Sequence, residues 1–350
     1  MADMPERSRR STGESREASD TTTEHAPHAG DRRALAFDEA ARVAEQILDE
    51  VCRAVVGKRE VVRLILTGLI ADGHVLLDDV PGVAKTLTAR SLATAAGLDF
   101  SRVQFTPDVL PADITGALVL DLATHTPEFR PGPVFSNLLL ADEVNRAPAK
   151  TQAALLEAMQ ERQVTADGVT HKLPEPFLVI ATQNPIESEG TYPLPEAQLD
   201  RFLLRTTMGY PAERDEVTLL ADRVARRTDQ VELEAVCRPR TFLALQRSLE
   251  YIHIDPRLIE YCVALVRATR SEPQLAVGSS PRGTLALVKL TRAAALLDGR
   301  EFVGPDDIRS MAVPALAHRV VLNDEAWARR LDPEEIVHRA VDRVPVPQSV

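Results

Sequence analysis

The segment from Leu138 to Arg146 constrains the fold more than any other part of the chain. It reads Leu-Leu-Leu-Ala-Asp-Glu-Val-Asn-Arg, an apolar run that ends in two adjacent carboxylates, Asp142 and Glu143. Such a run is typical of a strand buried on both faces, as in a parallel sheet. The carboxyl ends of these strands are where open α/β sheets bind ligands. One carboxylate could therefore hold a metal ion and the other could orient a water molecule.

Composition narrows the class of protein. The chain has 350 residues, of which 44% are hydrophobic and 27% charged, so it has room for two or three globular domains. No apolar stretch reaches the roughly 18 residues of a membrane span, and the basic N-terminus lacks the apolar core of a secretory signal. We therefore expect a cytoplasmic protein. The net charge of −11 argues against a dedicated nucleic-acid binder.

The chain divides into three regions. Residues 1–33 contain no Val, Ile, Leu or Phe, which predicts a disordered tail. Residues 34–210 alternate between strand and helix patterns, which predicts βαβ units around a mostly parallel sheet. Residues 211–350 contain helical patterns and no convincing strand, which predicts a second, all-α domain. The predicted strands of the sheet cover residues 74–77, 102–105, 137–141, 177–182 and 202–207.

Two further segments are predicted to be hairpins inserted into the α/β region. The first spans Gly116 to Arg130. The second spans Gln163 to His171 and turns at Asp167-Gly168, a strong hairpin signal.

A candidate phosphate-binding loop lies between the first strand and the helix that follows it. It consists of Asp79, Val80, Pro81, Gly82, Val83, Ala84, Lys85 and Thr86. In the general pattern G-x-x-x-x-G-K-[ST], backbone N–H groups hold the phosphates, the Lys reaches the β- and γ-phosphates, and the hydroxyl ligates Mg²⁺. Here Asp79 and Ala84 replace the two glycines, but Lys85-Thr86 and the strand–loop–helix setting are intact.

The loop and the two carboxylates together predict a nucleotide site. Asp142 supplies the carboxylate that acts on Mg²⁺, mostly through its water shell. Glu143 is the candidate to polarise the attacking water.

Two interpretations are open for each of three more polar residues. Asn184 follows a buried strand, where it could bond the γ-phosphate or the water, or simply serve the turn before Pro185. Arg201 precedes the last strand, either as a surface residue or as a charge-stabilising finger offered to a neighbouring subunit. Arg282 begins a helix, either with no special role or to close over the γ-phosphate.

The chain resembles the MoxR family of AAA+ ATPases from about Ala34 to its C-terminus. The departures from the general loop glycines are typical of that family. The motifs that carry the resemblance are residues 74–86, Gln104-Phe105-Thr106-Pro107-Asp108, Asp113-Ile114-Thr115-Gly116, residues 138–146 leading into 151–159, residues 181–185, residues 196–202 and Ser279-Ser280-Pro281-Arg282.

The resemblance implies an αβα nucleotide-binding core with a helical lid, and ATP with Mg²⁺ at a subunit boundary. It implies that Asn184 is sensor 1, Arg201 a trans-acting arginine finger and Arg282 sensor 2, and that Val56-Gly57 lie against the adenine. The two hairpins would be the helix-2 insert and the pre-sensor-1 hairpin. Members of the family typically form ring hexamers and are thought to act as chaperone-like remodellers of client proteins, with partners that carry von Willebrand factor A domains.

Three functions follow from these patterns. The first is an ATP-hydrolysing machine that remodels partner proteins. The second is a nucleic-acid-stimulated motor, against which the acidic charge stands. The third is a nucleotide-regulated scaffold with little turnover, against which Glu143 argues, because a pure switch could tolerate the loss of that carboxylate.

Overall fold

The computed structural model describes residues 34–121, 125–184 and 191–347. The predicted disordered tail, residues 1–33, lies outside the described residues. The described residues belong to one compact unit, so the predicted domain boundary near residue 210 stays a prediction.

The bounds of the helices and strands are as follows. The strands are β1 (Val75–Asp78), β2 (Phe100–Gln104), β3 (Gly116–Asp121), β4 (Thr126–Pro131), β5 (Leu138–Asp142), β6 (Gln163–Ala166), β7 (Val169–Lys172), β8 (Leu178–Gln183), β9 (Leu204–Thr206), β10 (Leu275–Val277) and β11 (Val321–Leu322). The α-helices are α1 (Phe37–Ala54), α2 (Arg59–Ile70), α3 (Lys85–Ala95), α4 (Pro111–Thr115), α5 (Ala149–Glu161), α6 (Glu196–Leu199), α7 (Glu213–Arg226), α8 (Pro239–Ser248), α9 (Pro256–Arg270), α10 (Pro281–Leu297), α11 (Pro305–Leu316), α12 (Asp324–Ala328) and α13 (Pro333–Asp342). Short 3₁₀ helices cover Val144–Arg146, Leu249–Tyr251 and Ala317–Arg319.

The central sheet has five parallel strands in the order β2-β5-β8-β1-β9. Alternate residues of β5 enter opposite cores: Leu138 and Leu140 pack with α1, α2 and α3, whereas Leu139 and Ala141 pack with α5. This two-sided burial is why the strand reads as a continuous apolar run. The predicted αβα arrangement is confirmed.

Both predicted hairpins are present as antiparallel strand pairs. β3 pairs with β4, and the residues between them, 122–124, lie outside the described residues. β6 pairs with β7 across Asp167 and Gly168, which both have the positive φ that a tight hairpin turn requires. The Phe129 ring stacks on the His171 ring with their centroids 3.9 Å apart, so the two hairpins contact each other.

The region after residue 211 is mainly helical, but the expectation of a purely α-helical region is wrong in one detail. β10 and β11 form a small antiparallel pair. With three and two residues they are too short to show the alternation by which a strand is recognised. The charged stretch near the end of this region forms two helices, α12 and α13, because Asp332 caps a new start at Pro333. None of the described helices combines the length and the apolarity that crossing a membrane requires.

Candidate nucleotide site

The phosphate-binding loop has the predicted setting between β1 and α3. Gly82 and Ala84 have left-handed backbones, with φ of 86° and 63°, and Ala84 is the N-cap of α3. No atom lies within 4 Å of the position where a Cβ on Gly82 would stand, so the loop has open space at this residue. The first N–H groups of α3 provide an anion site, which the helix dipole reinforces. The buried Lys85 ammonium donates to the Asp79 carbonyl oxygen over 2.7 Å.

Asp79 holds the loop in place instead of facing a ligand with its side chain. Its carboxylate accepts hydrogen bonds from the backbone N–H groups of Val80 (3.0 Å), Met208 and Gly209 (2.9 Å). The side chain is buried, so water could not take its place as the acceptor for these N–H groups. The acid at this position therefore ties the loop to the chain that leaves β9, which a glycine could not do.

Asp142 lies at the carboxyl end of β5, as predicted, and two side chains fix its carboxylate. Thr182 donates from its hydroxyl to Oδ1 over 2.6 Å. Arg102 donates to Oδ2 over 2.7 Å and 3.2 Å through Nη2 and Nε. A hydroxyl, as on Thr86, and a carboxylate, as on Asp142, are donors that suit Mg²⁺, which keeps several waters and binds one or two protein groups beside phosphates.

Glu143 has a left-handed backbone with φ 57°, an uncommon and costly conformation for a residue with a side chain. Its Oε2 accepts from Gln104 Nε2 over 2.8 Å and from Arg146 Nη1 over 3.0 Å. Its N–H donates to the Thr182 hydroxyl over 2.8 Å. The carboxylate is thereby held at the sheet edge beside Asp142.

Sequence reasoning missed Arg102, Gln104 and Thr182 as site residues. Arg102 and Gln104 lie on one face of β2, and Thr182 lies on β8, the two strands that flank β5. Polar side chains two residues apart near the end of a strand were an available signal, but the strand order that brings them to Asp142 is a long-range property.

The predicted adenine segment lies beside the start of α7. Gly57 has a φ of 74°, and a Cβ there would stand 2.5 Å from the Asp215 side chain. Val56, Gly57 and Asp215 help to line a cavity of about 430 Å³. Lys58 donates to the Tyr210 carbonyl oxygen over 2.5 Å. The segment is thus packed against the chain that follows β9.

Asn184 lies directly after β8, at the same sheet edge as Asp142, where a sensor could reach the phosphates. Its side chain is buried and its carbonyl oxygen is 3.4 Å from Asn145 Nδ2. The following residues, 185–190, lie outside the described residues.

The two predicted arginines lie at the opposite end of the strands, where the parallel strands begin. Arg201 and Arg282 line a cavity of about 230 Å³ with His74, which precedes β1, whereas the phosphate-binding loop follows β1. Because a strand rises about 3.3 Å per residue, about 16 Å of chain separates His74 from Asp79. In this structure Arg282 therefore does not close over a phosphate held by Lys85 of its own chain.

The surroundings of the two arginines differ. Arg282 Nη1 is 3.5 Å from Asp200 Oδ2. Among the described residues, none forms an ion pair or a side-chain hydrogen bond with the half-buried Arg201 guanidinium.

The parallel sheet, the loop that opens α3 and the paired carboxylates define the class of the protein as a P-loop ATPase. The model of the ATPase family associated with various cellular activities (AAA) matches residues 74–204, and that of the AAA lid domain matches residues 267–340.

Relatives cover most of the chain. It is 48% identical over 301 residues to the uncharacterized protein YeaC of Bacillus subtilis, covering 86% of this chain and 93% of that protein. It is 43% identical over 313 residues to the chaperone MoxR1 of Mycobacterium tuberculosis, covering 87% and 82%. A crystal structure of a protein described as an ATPase, from Cytophaga hutchinsonii, superposes with a TM-score of 0.83 at 38% identity, covering 89% of this chain and 97% of that one.

The chain belongs to the MoxR family of AAA+ ATPases. The family, its αβα fold with a helical lid and its class of activity, ATPase, are as the sequence predicted. The roles of the individual site residues remain predictions.

Proposed function

We propose that this protein hydrolyses ATP with Mg²⁺ at sites shared between adjacent copies of the chain. The observation that carries the proposal is the separation of two halves of a site. Lys85, Asp142 and Glu143 lie at the carboxyl edge of the sheet, and Arg201 and Arg282 lie at the amino edge. One chain cannot apply both halves to the same phosphate, whereas two chains in head-to-tail contact can. Head-to-tail contacts that close make a ring, for which we propose a hexamer.

Each residue then has a chemical task. The N–H groups at the start of α3 and the Lys85 ammonium bind the phosphates. Thr86 and Asp142 would hold Mg²⁺, which would neutralise phosphate charge. Glu143 accepts a proton from a water whose oxygen attacks the γ-phosphorus, and the bond to the β–γ bridging oxygen breaks, giving ADP and phosphate. Gln104 and Arg146 hold the Glu143 carboxylate in place through Oε2.

The remaining residues stabilise charge and orient the water. The Asn184 amide would hydrogen-bond the water or the γ-phosphate. The arginines of the neighbouring copy would stabilise the charge that spreads over the transferred group.

We propose that hydrolysis drives chaperone-like remodelling of client proteins, with a von Willebrand factor A domain protein as partner. The supporting comparison is the relative named chaperone MoxR1. The contacting hairpins offer a surface for a protein client, because Leu118, Leu120 and Val169 are 41%, 54% and 58% exposed near one another in the insert pair. Exposed apolar side chains in a cluster are typical of protein contact sites.

The test replaces Glu143 with Gln, which keeps the size and the acceptor for Gln104 but cannot take a proton. ATP affinity, measured with a fluorescent analogue, should stay within about twofold, and steady-state phosphate release should fall at least about 100-fold. Glu325→Gln, at an exposed carboxylate of α12, is the matched control and should leave both unchanged. Undiminished phosphate release from Glu143→Gln would show that another group activates the water.

A further inference from the structure

The buried side chain of Arg319 hydrogen-bonds the chain on both sides of the predicted finger, Arg201. Arg319 ends the 3₁₀ helix after α11, and its side chain is only 3% exposed. Its guanidinium donates to Asp200 Oδ1 (2.8 Å) and to the carbonyl oxygens of Asp200 (3.3 Å), Phe202 (2.6 Å) and Leu203 (3.2 Å). Every residue from 200 to 203 except Arg201 itself thus accepts a bond from Arg319.

Two more residues from the matched lid region converge on the same segment. His318 Nε2 lies 3.0 Å from the Phe202 carbonyl oxygen. Arg282, at the start of α10, lies 3.5 Å from the second carboxylate oxygen of Asp200. Asp200 is therefore shared by two arginines of the lid region, one buried and one 63% exposed.

The chemistry of this contact favours a geometric role. Burial lowers the pKa of the Arg319 guanidinium, and Asp200 opposes that shift. A buried ion pair is weak evidence for stability, since its desolvation offsets much of its attraction. A planar guanidinium that donates to four acceptors within one short segment does, however, fix the direction in which that segment runs. Arg201 lies within this segment, so its backbone is fixed, and it helps to line the cavity at the amino ends of the strands.

We propose that Arg319, acting through Asp200, is the positioning residue for Arg201. It attaches the backbone around Arg201 to the lid, so that each chain presents its finger to the neighbour as part of its lid. This inference rests on the proposed function, because it requires Arg201 to act at the site of another copy. It predicts that damage to Arg319 harms the neighbour's site and spares the chain's own.

The experiment uses full-length variants and measures which partner restores phosphate release. Arg319→Lys keeps the charge but loses the fork of donors, and Asp200→Asn keeps the shape but loses the ion pair. Arg300→Lys is the control, since Arg300 forms an ion pair with the buried Asp307 within the lid region and forms no hydrogen bond with residues 200–203. Arg319→Lys alone should lose about 10- to 100-fold in turnover, with ATP affinity unchanged, and Arg300→Lys should lose neither.

Mixing separates positioning from stability. Subunits with Arg319→Lys should be rescued by Glu143→Gln subunits, which carry an intact finger, to about a quarter of the wild-type rate per chain at equal amounts. They should not be rescued by Arg201→Ala subunits, which carry none. A merely structural defect would not distinguish the two partners.

Rescue by both partners, rescue by neither, or full activity of Arg319→Lys alone would overturn the proposal. If Arg319→Lys melts well below the wild type, the same mixtures with Asp200→Asn decide. The reference mixture of Arg201→Ala with Glu143→Gln separates the two levels of failure. Failure of that mixture overturns the shared site and this inference with it. Failure of the Arg319 mixtures alone overturns only the positioning role of Arg319.

Discussion

Replacing Asp79 with Gly would restore the first glycine of the general phosphate-binding pattern, yet we expect it to weaken the protein. The Asp79 carboxylate accepts from the N–H groups of Val80, Met208 and Gly209 and is buried. Hydrogen bonds to a charged group are each worth about 1.5–3 kcal/mol, and a buried donor left unpaired costs about 1–3 kcal/mol. Because these effects overlap and Val80 is half-buried, we expect a loss of about 3 kcal/mol in the free energy of unfolding.

The matched control restores the other glycine of the same pattern. Ala84 has a φ of 63°, a conformation that costs a residue with a Cβ about 1–2 kcal/mol. Ala84→Gly removes that strain but adds freedom to the unfolded chain, worth about 0.4–1 kcal/mol. We therefore expect Ala84→Gly to be neutral or stabilising by up to about 1 kcal/mol.

The assay is urea denaturation of both variants, with nucleotide affinity measured alongside. Asp79→Gly should lower both the urea midpoint and the affinity, since the loop loses its tie to the chain after β9. If Asp79→Gly is as stable as the wild type or binds nucleotide more tightly, the assignment of Asp79 as a structural tie is wrong.

Three further predictions concern single side chains. Burial lowers the pKa of His74 to about 4 from its ordinary 6.5, so the stability it contributes is complete above pH 6.5 and is lost as pH falls towards 4. Between pH 7 and pH 5, the free energy of unfolding measured with urea should therefore fall by about 2 kcal/mol less in His74→Gln than in the wild type. Arg102→Gln should lower the Mg²⁺ concentration needed for half-maximal MgADP binding, because it removes the guanidinium that competes with Mg²⁺ for the Asp142 carboxylate. An unchanged Mg²⁺ concentration at half-maximal binding would contradict this. Lys85→Met should weaken ATP binding at least about 100-fold in a direct titration, and retained binding would remove Lys85 from the site.

Much of the site could be predicted because its signals are local. The apolar run before Asp142, the Lys85-Thr86 pair after a strand and the Asp167-Gly168 turn each lie within a few residues of what they determine. The parallel sheet followed from the alternation of strands and helices.

The rest depends on contacts between distant residues. Nothing near Asp79 in the sequence announces Met208 as its partner, and nothing near Arg319 announces Asp200. The place of Arg282 could not be read from the helix it begins, because that place depends on how the C-terminal helices pack against the segment before β9. The β10–β11 pair escaped prediction because five residues carry no periodicity.

The most direct test of the shared site mixes two inactive variants. Arg201→Ala subunits keep Glu143 but offer no finger, and Glu143→Gln subunits offer a finger but have no base. In a 1:1 mixture we expect phosphate release to return to about a quarter of the wild-type rate per chain, since one junction in four joins an intact base to an intact finger. No return of activity at any ratio, with mixed assemblies shown to form, would contradict hydrolysis at a site built from two chains.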